Sequence, residues 1–204
     1  MPGVTDIVNV ALRKIGAKAI TSLGDGSDNA NIADDLYTEV RDDLLASNPW
    51  NFATKRVKLA QVATTPISEF DYAYALPSDW IRTVSVHDND AGHGTVLYRS
   101  EFLDSQRVLV ASSNQLYLRY IYRVTDPNLM SSNFRKAFEA ELAKELCIPI
   151  TESNTLFEQL DKGAKRALNK ARSTDAMGSF PELRPRGSWA SARGGRNRND
   201  FLSD

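Results

Sequence analysis

Apolar residues recur at every third or fourth position in four stretches of the chain. In a long central stretch they recur at every second position, so helices from both ends are expected to flank a β region. Near the start Ile7, Ala11 and Ile15 fall in step and Leu12 widens the stripe. Thr5 is placed to cap this helix and Gly16 to end it. A polar, Gly-rich loop occupies 22–29. Over 30–46 Ile32, Leu36, Val40 and Leu44 make one stripe while Asp35, Glu39 and Asp42 fall on another face. After Asp126-Pro127 the helical period returns with Phe134, Phe138, Leu142 and Leu146, and Ile148-Pro149 is expected to close that helix. A fourth helix carries Leu156, Leu160, Ala164, Leu168 and Ala171 in step.

Over 69–76 large residues alternate with small or polar ones, the two-residue repeat of a strand, and Leu76-Pro77-Ser78-Asp79 ends it in a turn. Shorter alternations occupy 81–86, 96–98, 107–110 and 116–124, with turns at 88–92 and 112–114. An antiparallel meander of about five strands is expected. The fold class is therefore α+β, a discontinuous α-helical bundle with an inserted antiparallel β domain. The segments are 1–55 and 127–176 for the two halves of the bundle, 56–126 for the insertion and 177–204 for an extended C-terminal arm.

That arm is poor in aliphatic residues and rich in Gly, Ser, Arg and Pro, so it has no core of its own and is expected to order against something else. Phe180, Trp189 and Phe201 punctuate it. From residue 184 on, Arg184, Arg186, Arg193, Arg196 and Arg198 against Asp200 and Asp204 leave a local charge of +3. The other abrupt feature is SNPWNFATKR, 47–56. Asn48-Pro49 stops the second helix, and Trp50 and Phe52 are placed to pin the exit at a fixed angle as a structural joint, or to reach a neighbouring subunit.

Composition narrows the possible chemistry. In 204 residues, 25 basic and 26 acidic side chains give a net charge of −1, which does not describe a chain built to hold nucleic acid or an anionic membrane by charge alone. Cys147 is the single cysteine, so no internal disulfide or Cys-based zinc site is available. The first residues have no basic leader or apolar run of signal length, and no stretch approaches a membrane span, so synthesis in the cytosol and no membrane partner are expected.

His87-Asp88-Asn89-Asp90 with His93 is the best candidate metal set, but turn residues dominate it and it reads as a polar hairpin tip. A calcium loop over Asp25, Ser27 and Asn29 fails because Ala30 and Leu36 stand where Gly and a bidentate acid are required. No Ser or Cys sits in a nucleophile-elbow context, and Glu139, Glu141 and Glu145 read as a solvated helical face. No cofactor and no enzymatic activity are expected. Lys162, Lys165, Arg166, Lys170 and Arg172, together with the arm, support the alternative of a nucleic-acid-binding module using Arg, Gly and aromatic residues.

Several segments, in order and spacing, closely resemble the tail tubular protein A family of bacteriophages. They are Asp6-Ile7-Val8-Asn9 with Ala11-Leu12-Arg13-Lys14-Ile15-Gly16, Ile20-Thr21-Ser22-Leu23, 37–45 (YTEVRDDLL), Pro49-Trp50-Asn51-Phe52-Ala53 and 72–79 (YAYALPSD). The match is most specific over 4–86, and the strand-rich middle and the two later helices follow the family to about residue 176. The resemblance implies a head-to-tail adaptor in the virion neck: a homo-oligomeric ring of about twelve copies beneath the portal protein. Such a ring would carry a downstream tail or nozzle component and pass genomic DNA through its lumen without sequence-specific binding. It also implies that the arm, through Phe180, Arg184, Arg186, Trp189, Arg193, Arg196, Arg198 and Phe201, grips the portal.

Overall fold

The computed structural model describes residues 3–66, 69–92 and 96–178. Among the described residues four helices, α1 (Val4–Lys14), α2 (Asp28–Ala46), α3 (Ser132–Thr151) and α4 (Asn154–Met177), flank six strands in the chain. These are β1 (Thr54–Lys58), β2 (Tyr72–Ala75), β3 (Trp80–His87), β4 (Tyr98–Leu103), β5 (Gln106–Ala111) and β6 (Tyr117–Tyr122). The class is mixed, with α and β elements segregated along the chain.

α3 lies against α1, α2 and α4, and its buried Phe134, Phe138, Leu142 and Leu146 are the stripe expected of it. Pro149 does not close this helix, as its sequence position suggests. It sits inside the last turn and forfeits only one N–H, while Thr151 Oγ1 donates to the Cys147 carbonyl and Glu152, at φ 52°, turns the chain out. At the other end, Gly3 rather than Thr5 is the cap of α1. The Asp6 carboxylate accepts the Gly3 N–H at 2.8 Å, which satisfies one of the N–H groups the first turn leaves without a partner. α2 buries Ala30, Ala33, Tyr37, Val40, Arg41, Leu44 and Leu45. Ile32 and Leu36 of the expected stripe are only partly buried, on the flank of that face.

The strands form two antiparallel sheets of three, with orders β1-β6-β3 and β2-β5-β4, not a meander. A meander requires sequence neighbours to pair throughout. Here only β4 and β5 are consecutive partners, joined by Asp104 and Ser105 at φ 50° and 65°, the left-handed pair a two-residue hairpin needs. β6 is central in the first sheet and has a partner on both edges. Its Ile121 packs into the helical core, while Leu118 and Tyr120 meet Tyr74, Leu109 and Ala111 of the second sheet. The first sheet is thus held between the helices and the second sheet. Among the described residues no helix is long and apolar enough to cross a membrane.

Candidate functional site

The last carbonyls of a helix have no partner within it, and at α2 three side chains from beyond the helix supply donors. Trp50 Nε1 donates to the Leu44 carbonyl at 2.8 Å, Arg82 Nη1 of β3 to the Ala46 carbonyl at 2.7 Å, and Arg172 Nη2 of α4 to the Ser47 carbonyl at 3.4 Å. Two of these donors are cations at a helix C-terminus, where the macrodipole favours them. Trp50 is fully buried, edge-on to Phe134 with ring centroids 5.0 Å apart. Phe52 meets the same Phe134 at 4.9 Å. Thr54 Oγ1 then donates to the Trp50 carbonyl as the chain enters β1. Pro49 itself is exposed, so its part in the corner is conformational. With its ring wholly inside its own chain, Trp50 offers no surface to a neighbour.

The corner is also tied to the end of α4. Asn51 N–H donates to the Asp175 carboxylate at 3.1 Å and Asn51 Nδ2 to the Asp175 carbonyl at 2.7 Å. Burial raises the Asp175 carboxyl above the usual aspartate range, against the lowering effect of the Asn51 hydrogen bond. A second tie lies at the turn after β2. Asp79 accepts from Lys55 Nζ at 2.7 Å and from the Tyr120 hydroxyl at 3.0 Å, joining β1 to β6. Burial alone would raise Asp79, but these donors outweigh it and hold the carboxylate below its ordinary range. Burial, then the adjacent Asp79, push the Tyr120 hydroxyl up to about 12.

No family model matches the chain, and no curated protein matches it.

Two recesses lie among the described residues, the first of them adjoining the corner at Leu44 and Ser47. One, of about 360 Å³, is a groove where α2, α3 and α4 meet. Leu36, Val40, Leu44 and Leu168 give it an apolar lining, and Glu39, Asp43, Glu141 and Glu145 an acidic one, with Ser47 at one end of its α2 side. Lys144 pairs with Glu141 and, at 3.0 Å, with Glu145. Among the described residues Glu39 and Asp43 have no ion pair. The other, of about 420 Å³, lies on the first sheet by the 88–92 turn, and includes Arg56, Arg119, Ser85 and His87. Arg56 of β1 stands directly across from Arg119 of β6 in the ladder.

Among the described residues no group of three or more His, Cys, Asp or Glu is placed to hold a metal ion; His93 lies outside them. Phe180, Arg184, Arg186, Trp189, Arg193, Arg196, Arg198 and Phe201 also lie outside the described residues. Of the sequence candidates, Trp50 and Phe52 come together on Phe134. Arg82, Asp175 and the groove were not singled out from sequence, because each acquires its partner from more than thirty residues away.

Proposed function

We propose that this chain is a non-enzymatic virion structural protein, a head-to-tail adaptor that closes into a ring of about twelve copies under the portal. The ring continues the DNA channel and presents a platform to the next tail or nozzle component. In this reading the helices from both ends are one discontinuous bundle, the β region is its insertion, and 177–204 is a portal-binding arm. The observation that carries the reading is the residue-level resemblance across 4–86 to the tail tubular protein A family. The resembling segments 37–45 and 49–53 are those that form the α2 exit and the Trp50 corner, and 72–79 ends on Asp79, the tie between β1 and β6.

Two further features support it. A closed ring needs one surface of each copy to meet a different surface of the next, and Leu97, Tyr98 and Phe102 expose apolar area on and beside β4, an edge strand. A net charge of −1 suits a conduit, since each phosphate held by Lys or Arg would slow a sliding duplex. The arm binds the portal by coupled folding, with Phe180 and Trp189 as anchors and its arginines on acidic groups. Removing residues 179–204 is expected to abolish binding to the portal in a pull-down while the circular dichroism melt stays in place. Portal binding retained by the shortened chain would contradict this role of the arm.

A second reading, a nucleic-acid-binding module, is favoured by the facing Arg56 and Arg119, together with the Arg-rich composition of 177–204. It requires DNA affinity that falls steeply with salt and weakens in Arg56→Ala. A titration at low salt with no binding removes it.

A further inference from the structure

We infer that the groove between α2, α3 and α4 is the docking site for residues 180–186 of the same chain, which lie along it as a latch before the arm engages any partner. This contact does not depend on the adaptor reading. It rests on three features: a groove whose chemistry lacks its complement, a segment that supplies that complement, and a chain exit at the correct end.

The groove combines an apolar floor with carboxylates. Leu36 and Leu168 are only partly buried, and Glu39 and Asp43 stand one turn apart on the exposed side of α2. On a helix such a pair is separated by roughly 5–6 Å between Cβ atoms. Across the groove Glu141 and Glu145 repeat the spacing, with Lys144 already between them. The groove thus carries four carboxylates against one lysine on its acidic side, and the unpaired two are on α2. Apolar floors edged by unpaired charge fit an amphipathic segment of opposite sign.

Residues 180–186, Phe180-Pro181-Glu182-Leu183-Arg184-Pro185-Arg186, have that composition. Phe180 and Leu183 match the leucine and valine floor. Arg184 and Arg186 are two residues apart, which along an extended chain is roughly 6–7 Å, the spacing of the Glu39 and Asp43 pair. Pro181 and Pro185 restrict the free chain, so fewer conformations are lost when the segment is ordered.

The exit of the chain is beside the groove. The Arg172 guanidinium reaches the Ser47 carbonyl, Asp175 is bonded to Asn51, and a Cβ on Gly178 would stand 3.7 Å from Asn51 Nδ2. α4 therefore ends beside 47–51, and Ser47 marks the near end of the groove. From Ser47 back to Leu36 is eleven residues of helix, roughly 16 Å. The eight residues from Gly178 to Arg186 span up to about 26–29 Å when extended, enough to turn at Gly178 and run that length.

The test is hydrogen–deuterium exchange of the full-length protein, read by mass spectrometry on peptides covering 179–187. Protection of about tenfold or more over an unstructured chain is expected at low salt, falling toward unity at high salt. The double variant Glu39→Lys with Asp43→Lys, both at exposed positions, is expected to remove the protection. So is Arg184→Glu with Arg186→Glu, and combining all four changes is expected to restore it. Exchange at the unstructured rate in the natural sequence, or protection indifferent to both charge reversals, overturns the proposal. Protection that disappears on dilution places the segment in the groove of another copy and overturns the same-chain latch.

Discussion

Leu44 belongs to two regions that use the same helix in opposite ways. On one side its carbonyl takes the Trp50 indole N–H, in a corner closed by Phe134, Arg82 and Arg172. On the other its side chain lines the groove with Leu36 and Val40, under Glu39 and Asp43, which have no ion pair among the described residues. The corner is complete within one chain, so its residues answer to stability. The groove has an apolar floor and charge left over, so its residues answer to contact. Substitutions should separate the two accordingly.

The largest effect is expected at Trp50→Ala, which empties a fully buried aromatic site and leaves the Leu44 carbonyl with fewer donors. Loss of about 3–5 kcal/mol is expected by chemical denaturation. Arg82→Ala, which removes the donor to the Ala46 carbonyl, is expected to cost about 1–3 kcal/mol in the same measurement. At the opposite extreme, Glu39→Lys with Asp43→Lys, measured at the high salt that releases residues 180–186, is expected to shift folding stability by less than about 0.5 kcal/mol. A groove variant as damaging as a corner variant would erase the distinction.

Acid and base act on the two ties in opposite senses. Asp79 is held below its ordinary range in the fold, so its contribution is complete above the unfolded aspartate value and is lost as pH falls through the lower, folded one. Asp79→Asn should flatten that acid limb of the stability profile. Asp175 is raised in the fold, so its contribution is present below the unfolded value and lost as pH rises through the folded one. Asp175→Asn, which keeps an acceptor for the Asn51 N–H, should remove that smaller loss. An unchanged pH profile in both variants would contradict these assignments.

The helices were legible because each buries a stripe, and α2 shows where that signal falls short. Leu36, Val40 and Leu44 of its stripe line the groove, while the buried positions also include Ala33 and Arg41, which hydropathy does not favour. The Arg41 guanidinium is tolerated there because its Nε donates to Asp42, which also accepts from Arg123. β1 escaped notice because TKRVK is exposed at nearly every position. Its place comes from the backbone ladder to β6, and its lysine and arginine side chains suit an unprotected edge. The order of the sheets was equally hidden, since alternation marks a strand but does not choose its partner. Trp50 was visible as a bulky anchor after Asn48-Pro49. The groove was not, because Glu39 and Glu145 come from helices more than a hundred residues apart, and each alone reads as a solvated face.

The central claim is that the chain is an adaptor, and electron microscopy of the purified protein mixed with a portal protein from the same source addresses that most directly. The account predicts a ring seated beneath the portal, with density for residues 179–204 running onto the portal's flank. Single copies that leave the portal bare at high concentration would contradict it.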